Sequence, residues 1–322
     1  MAKIAPSVTR LWFNINPANR TNYLDISLAA SAANRRFYRQ STTWAVAVFS
    51  LVTQSDTIGE VEISKIPDTW AAKNAHTKSK SLWFKSQDQV LDEQPSIRAK
   101  YADFKVNLDE DMLSASIQDA SANPVGDGDI MLPVDRNNFT AKYGEWVYST
   151  LQLPNDGGSV APTEVQFHMV GANVISPSSV GMIHGYGLAR SRPQLIEPNT
   201  PTDGGWMNDV FDVADNLDEI RLDVTDNNDV PPYRVGDDTS ADEFYPGGEN
   251  NQPSAALHSI NFVTGTTVGG KTHMEGGMFH CGLVRFDYNM TNAAGGAVTD
   301  TNMWLAVDLV PGNYKGYLTE VY

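Results

Sequence analysis

The sequence is poor in the features that mark secreted and membrane-spanning proteins. Its 322 residues include one cysteine, Cys281, so an internal disulfide framework is excluded. No apolar run approaches the roughly 18 residues that a membrane-spanning helix needs. The longest run, Trp44–Val52, has the length of a strand, and the first residues, 1–6, lack the apolar stretch of a secretion signal. We therefore expect a chain that neither spans a membrane nor depends on disulfides.

A basic arm is also missing, and charge is divided along the chain. Residues 1–105 contain 14 Lys and Arg against 9 Asp and Glu, a net charge of +5. Residues 106–322 contain 9 against 30, a net of −21, and the two parts sum to −16. Most of the acidic excess lies in residues 201–250, with 14 acids against Arg221 and Arg234. Binding through phosphate contacts needs a basic arm or stripe, so we expect no strong nucleic-acid binding.

The two charge blocks also predict how copies of the chain would associate. Acidic loops that approach each other repel over about 8–10 Å at physiological salt, unless a cation or a basic neighbour intervenes. Basic residues of the first third are such a neighbour, namely Arg35, Arg36, Arg39, Lys73 and Lys78. We therefore expect contacts between copies that weaken at high salt.

What the sequence contains in quantity is strand-like segments. Runs rich in Val, Ile, Phe, Tyr, Trp and Thr are bounded by Gly, Pro, Asn and Asp clusters, the pattern of an all-β protein. The predicted strands include Arg10–Asn16, Asn22–Ala30, Thr43–Thr53, Tyr101–Leu108, Val180–Arg190, Leu257–Thr264, Met278–Tyr288 and Met303–Val310. In the third of these, alternation predicts that Trp44, Val46 and Val48 point into the core.

One segment has a helical pattern instead. Asp68 or Thr69 can cap the free amide groups of a first turn. Pro95 prevents much extension beyond the other end. The sequence therefore predicts a helical insertion at about 67–94, as one helix or as two shorter ones.

A linker-like segment at the midpoint divides the predicted strands into two similar groups. Residues 154–162 are rich in Pro, Gly, Asn and Asp. We therefore predict an all-β protein made of two eight-stranded antiparallel β-sandwiches side by side. Residues 1–155 would form the first, with the helical insertion, and residues 156–322 the second, with acidic loops at about 200–250. A single jelly roll with long loops is the alternative.

The segment Gly265–Thr272 matches the spacing G-x-x-x-x-G-K-[ST] of a phosphate-binding loop. In such a loop a helix begins at the lysine, which here is Lys271. The residues that follow, 273–282, contain three glycines, each of which opposes a helix by about 1 kcal/mol. We therefore interpret the segment as a loop joining two antiparallel strands. A phosphate-loop nucleotide-binding protein is an alternative function that this motif leaves open.

Five aspartates of the acidic stretch form the candidate metal site. They are Asp215, Asp218, Asp223, Asp226 and Asp229. Clustered carboxylate oxygens are the ligands that Ca²⁺ prefers, although the twelve-residue EF-hand pattern is not present. Calcium is accordingly the candidate cofactor, with solvated surface acids as the alternative. No nucleophile elbow or acid/base pair stands out, so no catalytic residue is nominated and we expect a protein that is not an enzyme.

Part of the chain resembles a known group of capsid proteins. The resemblance is carried by Ile66–His76 (Ile-Pro-Asp-Thr-Trp-Ala-Ala-Lys-Asn-Ala-His), Ser81–Phe84 and Tyr101–Val106. With the length and the missing basic arm, these segments resemble major capsid proteins of small icosahedral tailless single-stranded DNA viruses, the FLiP-like, double jelly-roll lineage.

The resemblance implies a structural protein of the virion. Three subunits, each with two jelly rolls, would form a trimeric, pseudo-hexameric capsomer of an icosahedral shell. The homotrimer would contact neighbouring capsomers, penton or spike proteins and an internal viral membrane. Such a protein would be assembled in the host cytoplasm and located in the virion capsid. A viral spike or a carbohydrate-binding β-sandwich module is the alternative.

Overall fold

A computed structural model describes the fold over 12 stretches of the chain. They are residues 7–15, 21–54, 56–93, 95–98, 102–118, 127–153, 163–175, 178–191, 254–264, 270–296, 298 and 303–322. The chain divides into two compact units, Met1–Ile183 with Gln252–Tyr322, and His184–Asn251. All the described residues except 184–191 belong to the first unit.

Strands dominate the described residues. The strands are β1 (Arg10–Ile15), β2 (Thr21–Asp25), β3 (Thr42–Val52), β4 (Thr57–Lys65), β5 (Thr150–Leu153), β6 (Thr163–His168), β7 (Val174–Ile175), β8 (Ser178–Gly181), β9 (Ala256–Val263), β10 (Lys271–Phe279), β11 (Leu283–Asn292), β12 (Met303–Leu309), β13 (Pro311–Gly312), β14 (Gly316–Tyr317) and β15 (Thr319–Val321). The helices are α1 (Ile26–Asn34), α2 (Trp70–Glu93), α3 (Glu110–Leu113) and α4 (Met182–Ser191). The all-β prediction is confirmed at this level.

Nine of these strands form two antiparallel sheets, eight of them in two rows of four and the ninth, β15, at the side. The first sheet has the order β1-β12-β3-β10, with β15 also paired to β3, and the second has the order β2-β11-β4-β9. All neighbours in both sheets are antiparallel. If the eight strands are numbered from one to eight along the chain, the two orders are 1-8-3-6 and 2-7-4-5.

The two sheets bury their apolar faces against each other in one core. Leu11, Phe13 and Ile15 alternate on β1, as the period of two requires, and all three are buried. The rings of Phe49 in the first sheet and Phe286 in the second meet edge to face, with centroids 5.4 Å apart. The fold is therefore a β-sandwich.

This sandwich differs from the predicted division at residue 155. Strands before that residue pair with strands near the other end of the chain; Arg10, for example, lies opposite Asp308, and Val52 lies opposite Lys271. Both halves of the chain contribute to the same core. The linker-like residues 154–162 fall between β5 and β6, inside the connection from β4 to β9. Composition at the midpoint thus does not mark a boundary between two cores.

The connection from β4 to β9, residues 66–255, contains three of the helices and a further sheet. They are α2, α3, α4 and a small sheet of order β5-β6-β8-β7, in which β6 and β8 are parallel. Helix α2 is a single helix of 24 residues that lies where the helical insertion at about 67–94 was expected. Its Trp83 Nε1 donates to the Thr150 carbonyl oxygen at 3.1 Å, which ties the helix to β5. No helix within the described stretches has the length and apolarity to cross a membrane.

Some of the predicted strands are wrong in type or extent. The predicted strand Asn22–Ala30 divides into β2 and α1, because Asp25 caps a helix in its middle. Val180–Arg190 is mostly α4. The predicted strand Met278–Tyr288 is broken by a tight turn at His280–Gly282, where Cys281 has a φ of 55° and Gly282 a φ of 65°. Tyr101–Leu108 forms no regular strand in its described part.

Candidate functional site

The predicted calcium ligands lie outside the described residues. This holds for Asp215, Asp218, Asp223, Asp226 and Asp229. The calcium site therefore stays a prediction. Within the stretches that the structure describes, no three His, Cys, Asp or Glu side chains are grouped so as to hold a metal ion.

One group of described carboxylates surrounds an arginine instead. Arg285 Nη1 donates to Asp109 Oδ2 and to Asp111 Oδ2, both at 2.8 Å. Its Nε donates to Asp287 Oδ2 at 2.9 Å. These bonds tie α3 to β11, so the group is a structural ion-pair network.

The phosphate-loop motif lacks its helix. Lys271 and Thr272 are the first residues of β10, where they lie opposite Val52 and Leu51 of β3. A strand thus begins where the motif requires a helix. Residues 265–269 lie outside the described part of the chain. Strands β9 and β10, which precede and follow these residues, belong to different sheets and are not paired with each other.

The described residues form a cleft of about 1000 Å³. It is formed by three segments of the chain: the end of α1 with the residues after it, the residue Lys105, and the loop 133–146. Cationic and aromatic side chains from all three segments line it, and it is called the basic–aromatic cleft below. They are Arg35, Arg36, Phe37, Lys105, Phe139, Lys142, Tyr143 and Trp146.

The first segment is directed by the way in which α1 ends. Arg35 takes a left-handed conformation, with φ 50° and ψ 43°, as C-terminal cap residues do. The backbone N–H of Arg36 and the Tyr38 N–H both bond to Ser31, the first to its carbonyl oxygen at 3.2 Å and the second to its Oγ at 2.9 Å. These bonds reverse the chain, bury Tyr38 and leave Arg36 and Phe37 exposed along the cleft.

The second segment places a buried cation between two rings. Lys105 is 6% exposed, and its Nζ lies 5.4 Å from the ring centroid of Phe37 and 4.9 Å from that of Trp146. Both distances are within the range of a cation–π interaction. Burial lowers the pKa of Lys105, while Asp103 opposes this shift. The lysine therefore holds the Phe37 and Trp146 rings together at one wall of the cleft.

The third segment is a compact loop that pins its own acidic residue. Asp135 Oδ1 accepts hydrogen bonds from the backbone N–H groups of Asn137 and Phe139, at 2.8 and 2.9 Å. The Ala141 N–H donates to the Pro133 carbonyl oxygen at 2.8 Å and closes the loop. The loop presents Phe139, which is 67% exposed, on the cleft.

A buried polar network joins the segment that contains Lys105 to the sandwich. Gln40 donates from Nε2 to Asp25 Oδ2 at 2.9 Å and to the Val106 carbonyl oxygen at 3.0 Å. Its backbone N–H donates to Asp103 Oδ2 at 2.8 Å. The Lys105 N–H in turn donates to Ser149 Oγ at 2.9 Å. Because these groups are buried and paired, the position of Lys105 is set by the fold.

Sequence reasoning named part of this site only. Arg35 and Arg36 were expected to belong to a basic surface, and the structure places them at the cleft. Lys73 and Lys78, expected on the same surface, lie on α2. Lys142 and the aromatic residues were missed. A usable signal was the interleaving of basic and aromatic residues in Arg35–Arg39, the sequence Arg-Arg-Phe-Tyr-Arg.

Comparison with known proteins adds no assignment to this geometry. A scan against protein-family models, a search of curated proteins and a search of solved structures each found no match to the chain.

Proposed function

We propose that this chain is a structural protein, the major capsid protein of a small icosahedral virion, and that its sandwich is a single jelly roll. The observation that carries the proposal is the strand order, 1-8-3-6 facing 2-7-4-5. Eight antiparallel strands in two such sheets are the jelly-roll architecture, which is common in viral capsid proteins. The long connection from β4 to β9 then supplies the elaborated loops.

The fold by itself does not choose among the proteins that share it, since lectin domains and cupins are also jelly rolls. The resemblance of Ile66–His76 and Tyr101–Val106 to capsid proteins favours a shell protein. The first of these segments leads into α2, and the second contains Lys105, which lines the cleft. The resembling residues thus belong to the connection that distinguishes this chain from a bare jelly roll.

An exposed apolar strand supports assembly into a shell. Strand β9 stands at the end of the second sheet, and three of its side chains, Leu257, Ile260 and Phe262, are exposed. Phe262 is 69% exposed. Apolar groups on a terminal strand are typical of surfaces that another chain covers.

A homotrimer is the assembly unit that we propose. A pseudo-hexameric outline needs two sandwiches per subunit, and the described residues supply one, so the trimer would present three around its axis. Contacts with neighbouring capsomers, with penton or spike proteins and with an internal viral membrane belong to the same proposal, as does location in the virion capsid.

The test is the size of the purified protein, by light scattering after size exclusion and by negative-stain microscopy. We expect trimers that associate into closed particles. The double variant Ile260→Thr with Phe262→Thr places threonine, which favours a strand, at two positions of β9 and removes most of its exposed apolar surface, so assembly should shift to smaller species. Val321→Thr, at another exposed position, is the matched control and should leave the distribution unchanged.

A wild-type chain that stays monomeric at high concentration, in low and high salt and in mild acid, would contradict the shell role. A trimer that never forms particles under any of these conditions would favour the spike alternative.

A further inference from the structure

The basic–aromatic cleft concentrates positive charge in an acidic chain. Its lining contains four cations, Arg35, Arg36, Lys105 and Lys142, against the carboxylates of Asp135 and Glu145. The whole chain has a net charge of −16, so this local surplus is the reverse of the average surface. Asp135 is held by amide groups of its own loop, as described above. The cleft therefore favours an anionic ligand.

The rings of the cleft offer flat apolar faces next to these cations. Phe37 is 44% exposed and Tyr143 is 43% exposed, although both are large aromatic side chains. Lys105 and Trp146 hold the Phe37 ring from behind, with Phe37 and Trp146 centroids 6.0 Å apart. A ring that is already fixed loses little conformational entropy when a planar group stacks on it.

Size and chemistry narrow the class of ligand. A cleft of about 1000 Å³ lies at the upper end of the range of small-molecule sites, about 300–1,000 Å³. A duplex hides its base faces, and a lipid headgroup has a phosphate but no flat ring. A single strand offers both a phosphate and an accessible base, and stacking of a base on an aromatic side chain contributes about 1–3 kcal/mol.

We propose that the basic–aromatic cleft binds single-stranded nucleic acid, with phosphates at Arg35, Arg36 and Lys142 and bases stacked on Phe37 and Tyr143. The site is short, which distinguishes it from the basic arm whose absence argued against strong binding. Three phosphate contacts predict modest affinity and a slope of log K against log salt of about −2 for a single strand. The proposal does not depend on the shell function, because a monomer contains the whole cleft.

Fluorescence anisotropy with a labelled twelve-nucleotide oligo(dT) tests the proposal on the full chain, at several salt concentrations. The double variant Arg36→Glu with Lys142→Glu should weaken binding at least tenfold. The double variant Lys73→Glu with Lys85→Glu makes the same change of charge on exposed residues of α2, outside the cleft, and should weaken binding by less than about threefold. Phe37→Leu keeps an apolar residue but removes the ring, so it should also weaken binding of the oligonucleotide.

Three controls separate the alternatives. A duplex of the same length, vesicles with anionic phospholipid and a sialylated oligosaccharide are titrated alongside the single strand. The proposal is overturned if the duplex or the vesicles bind as tightly as the single strand and this binding survives Phe37→Leu, or if the oligosaccharide alone binds tightly. It is also overturned if both charge variants lose the same oligonucleotide affinity, or if oligo(dT) does not bind at low salt. Circular dichroism checks that the variants fold; if the double variant does not, Lys142→Glu alone, in an exposed loop, replaces it.

Discussion

At the scale of single residues, Asp25 is a buried carboxylate that joins several parts of the fold. Its carboxylate caps α1 by accepting the N–H groups of Ser27 and Leu28, at 3.0 and 3.1 Å, and it also accepts from Gln40. The side chain is fully buried, and burial raises its pKa to about 6. The same residue therefore caps a helix, contacts the Gln40 side chain that also bonds the carbonyl oxygen of Val106, and bears a desolvated charge at neutral pH.

Replacing Asp25 with Asn should change the pH dependence of stability. In the fold Asp25 binds a proton more tightly than in the unfolded chain, whose pKa is 3.8. The wild type thus gains stability as pH falls from about 6 to 4, by up to about 3 kcal/mol. Asn caps helices as well as Asp does but does not titrate. The difference in free energy of unfolding, variant minus wild type, should therefore be about 3 kcal/mol more positive at pH 7 than at pH 4 when measured by urea unfolding.

The exposed carboxylate of Asp56 provides the control for this measurement. Asp56→Asn should shift the stability relative to wild type by the same amount at both values of pH. An Asp25→Asn variant whose stability relative to wild type is the same at pH 4 and pH 7 would show that Asp25 is not the titrating group.

Asp25 also shows why the start of α1 was missed. The alternation of Tyr23, Leu24 and Asp25 with the residues that follow satisfies the period of a strand, and the prediction extended that strand to Ala30. A cap followed by alanine-rich sequence, Leu28–Ala33, was the competing signal. The hydrogen bonds from Ser27 and Leu28 to this carboxylate decide between the two, and a pattern of apolar residues does not record them.

At the scale of elements, α2 docks through a histidine that has no polar partner. His76 is fully buried, and neither of its ring nitrogens has a hydrogen-bond partner among the described residues. Its ring centroid lies 5.6 Å from that of Phe104 and 5.0 Å from that of Tyr322. Burial lowers the pKa of His76 to about 3, with Lys80 and His280 acting in the same direction. The helix is therefore attached through a side chain that must stay neutral.

His76→Leu should stabilise the attachment of α2 in mild acid. The unfolded chain binds a proton at a pKa of about 6.5 and the fold does not, so wild-type stability falls as pH drops below 6.5. The loss is about 1.4 kcal/mol for each pH unit, or about 2 kcal/mol at pH 5. Leucine fits an apolar site and favours a helix. Thermal unfolding should show that the melting temperature falls less between pH 7.5 and pH 5 for the variant than for the wild type.

His273 is an exposed histidine on β10 and serves as the matched control. His273→Leu should leave the fall in melting temperature between the two pH values as large as in wild type. If His76→Leu does the same, the acid sensitivity does not come from His76.

The core of β3 shows a second limit on prediction at this scale. Trp44 and Val46 are buried as expected, but the alternation then shifts, and Phe49 and Leu51 are buried in place of Val48. The cause is a bulge: Asp308 of β12 lies opposite Val48, and Leu309 lies opposite Val46, so one residue of β3 has no partner in the ladder. A bulge is set by the neighbouring strand, which the local sequence does not contain.

At the scale of the whole molecule, strand positions could be predicted but strand partners could not. Segments such as Arg10–Ile15 and Met303–Leu309 were expected as strands from composition and alternation. Their pairing joins residues 298 positions apart in the sequence, as in the ion pair of Arg10 with Asp308. The basic–aromatic cleft has the same origin, since it collects Arg36, Lys105 and Lys142 from separate segments. Local patterns therefore found two of its residues, Arg35 and Arg36, and not the site.

Separate halves of the chain should not fold. Residues 1–155 contain β1 to β4, whose ladder partners lie mainly in residues 156–322. Each half expressed alone should show neither a dispersed NMR spectrum nor cooperative thermal unfolding. Co-expressed halves, as the control, should associate and unfold as one unit. A half that folds independently would restore the arrangement of two separate sandwiches.

The position of β12 between β1 and β3 has a consequence for synthesis of the protein in a cell. Phe13 and Trp44 leave the ribosome early, whereas the strand that completes their sheet begins only at Met303. At translation rates of roughly 5–20 residues per second, the interval between Val52 and Met303 is roughly 10–50 s. For that time the nascent chain carries strands without their neighbours, a state prone to aggregation. Production of this protein should therefore depend on chaperones that bind nascent chains.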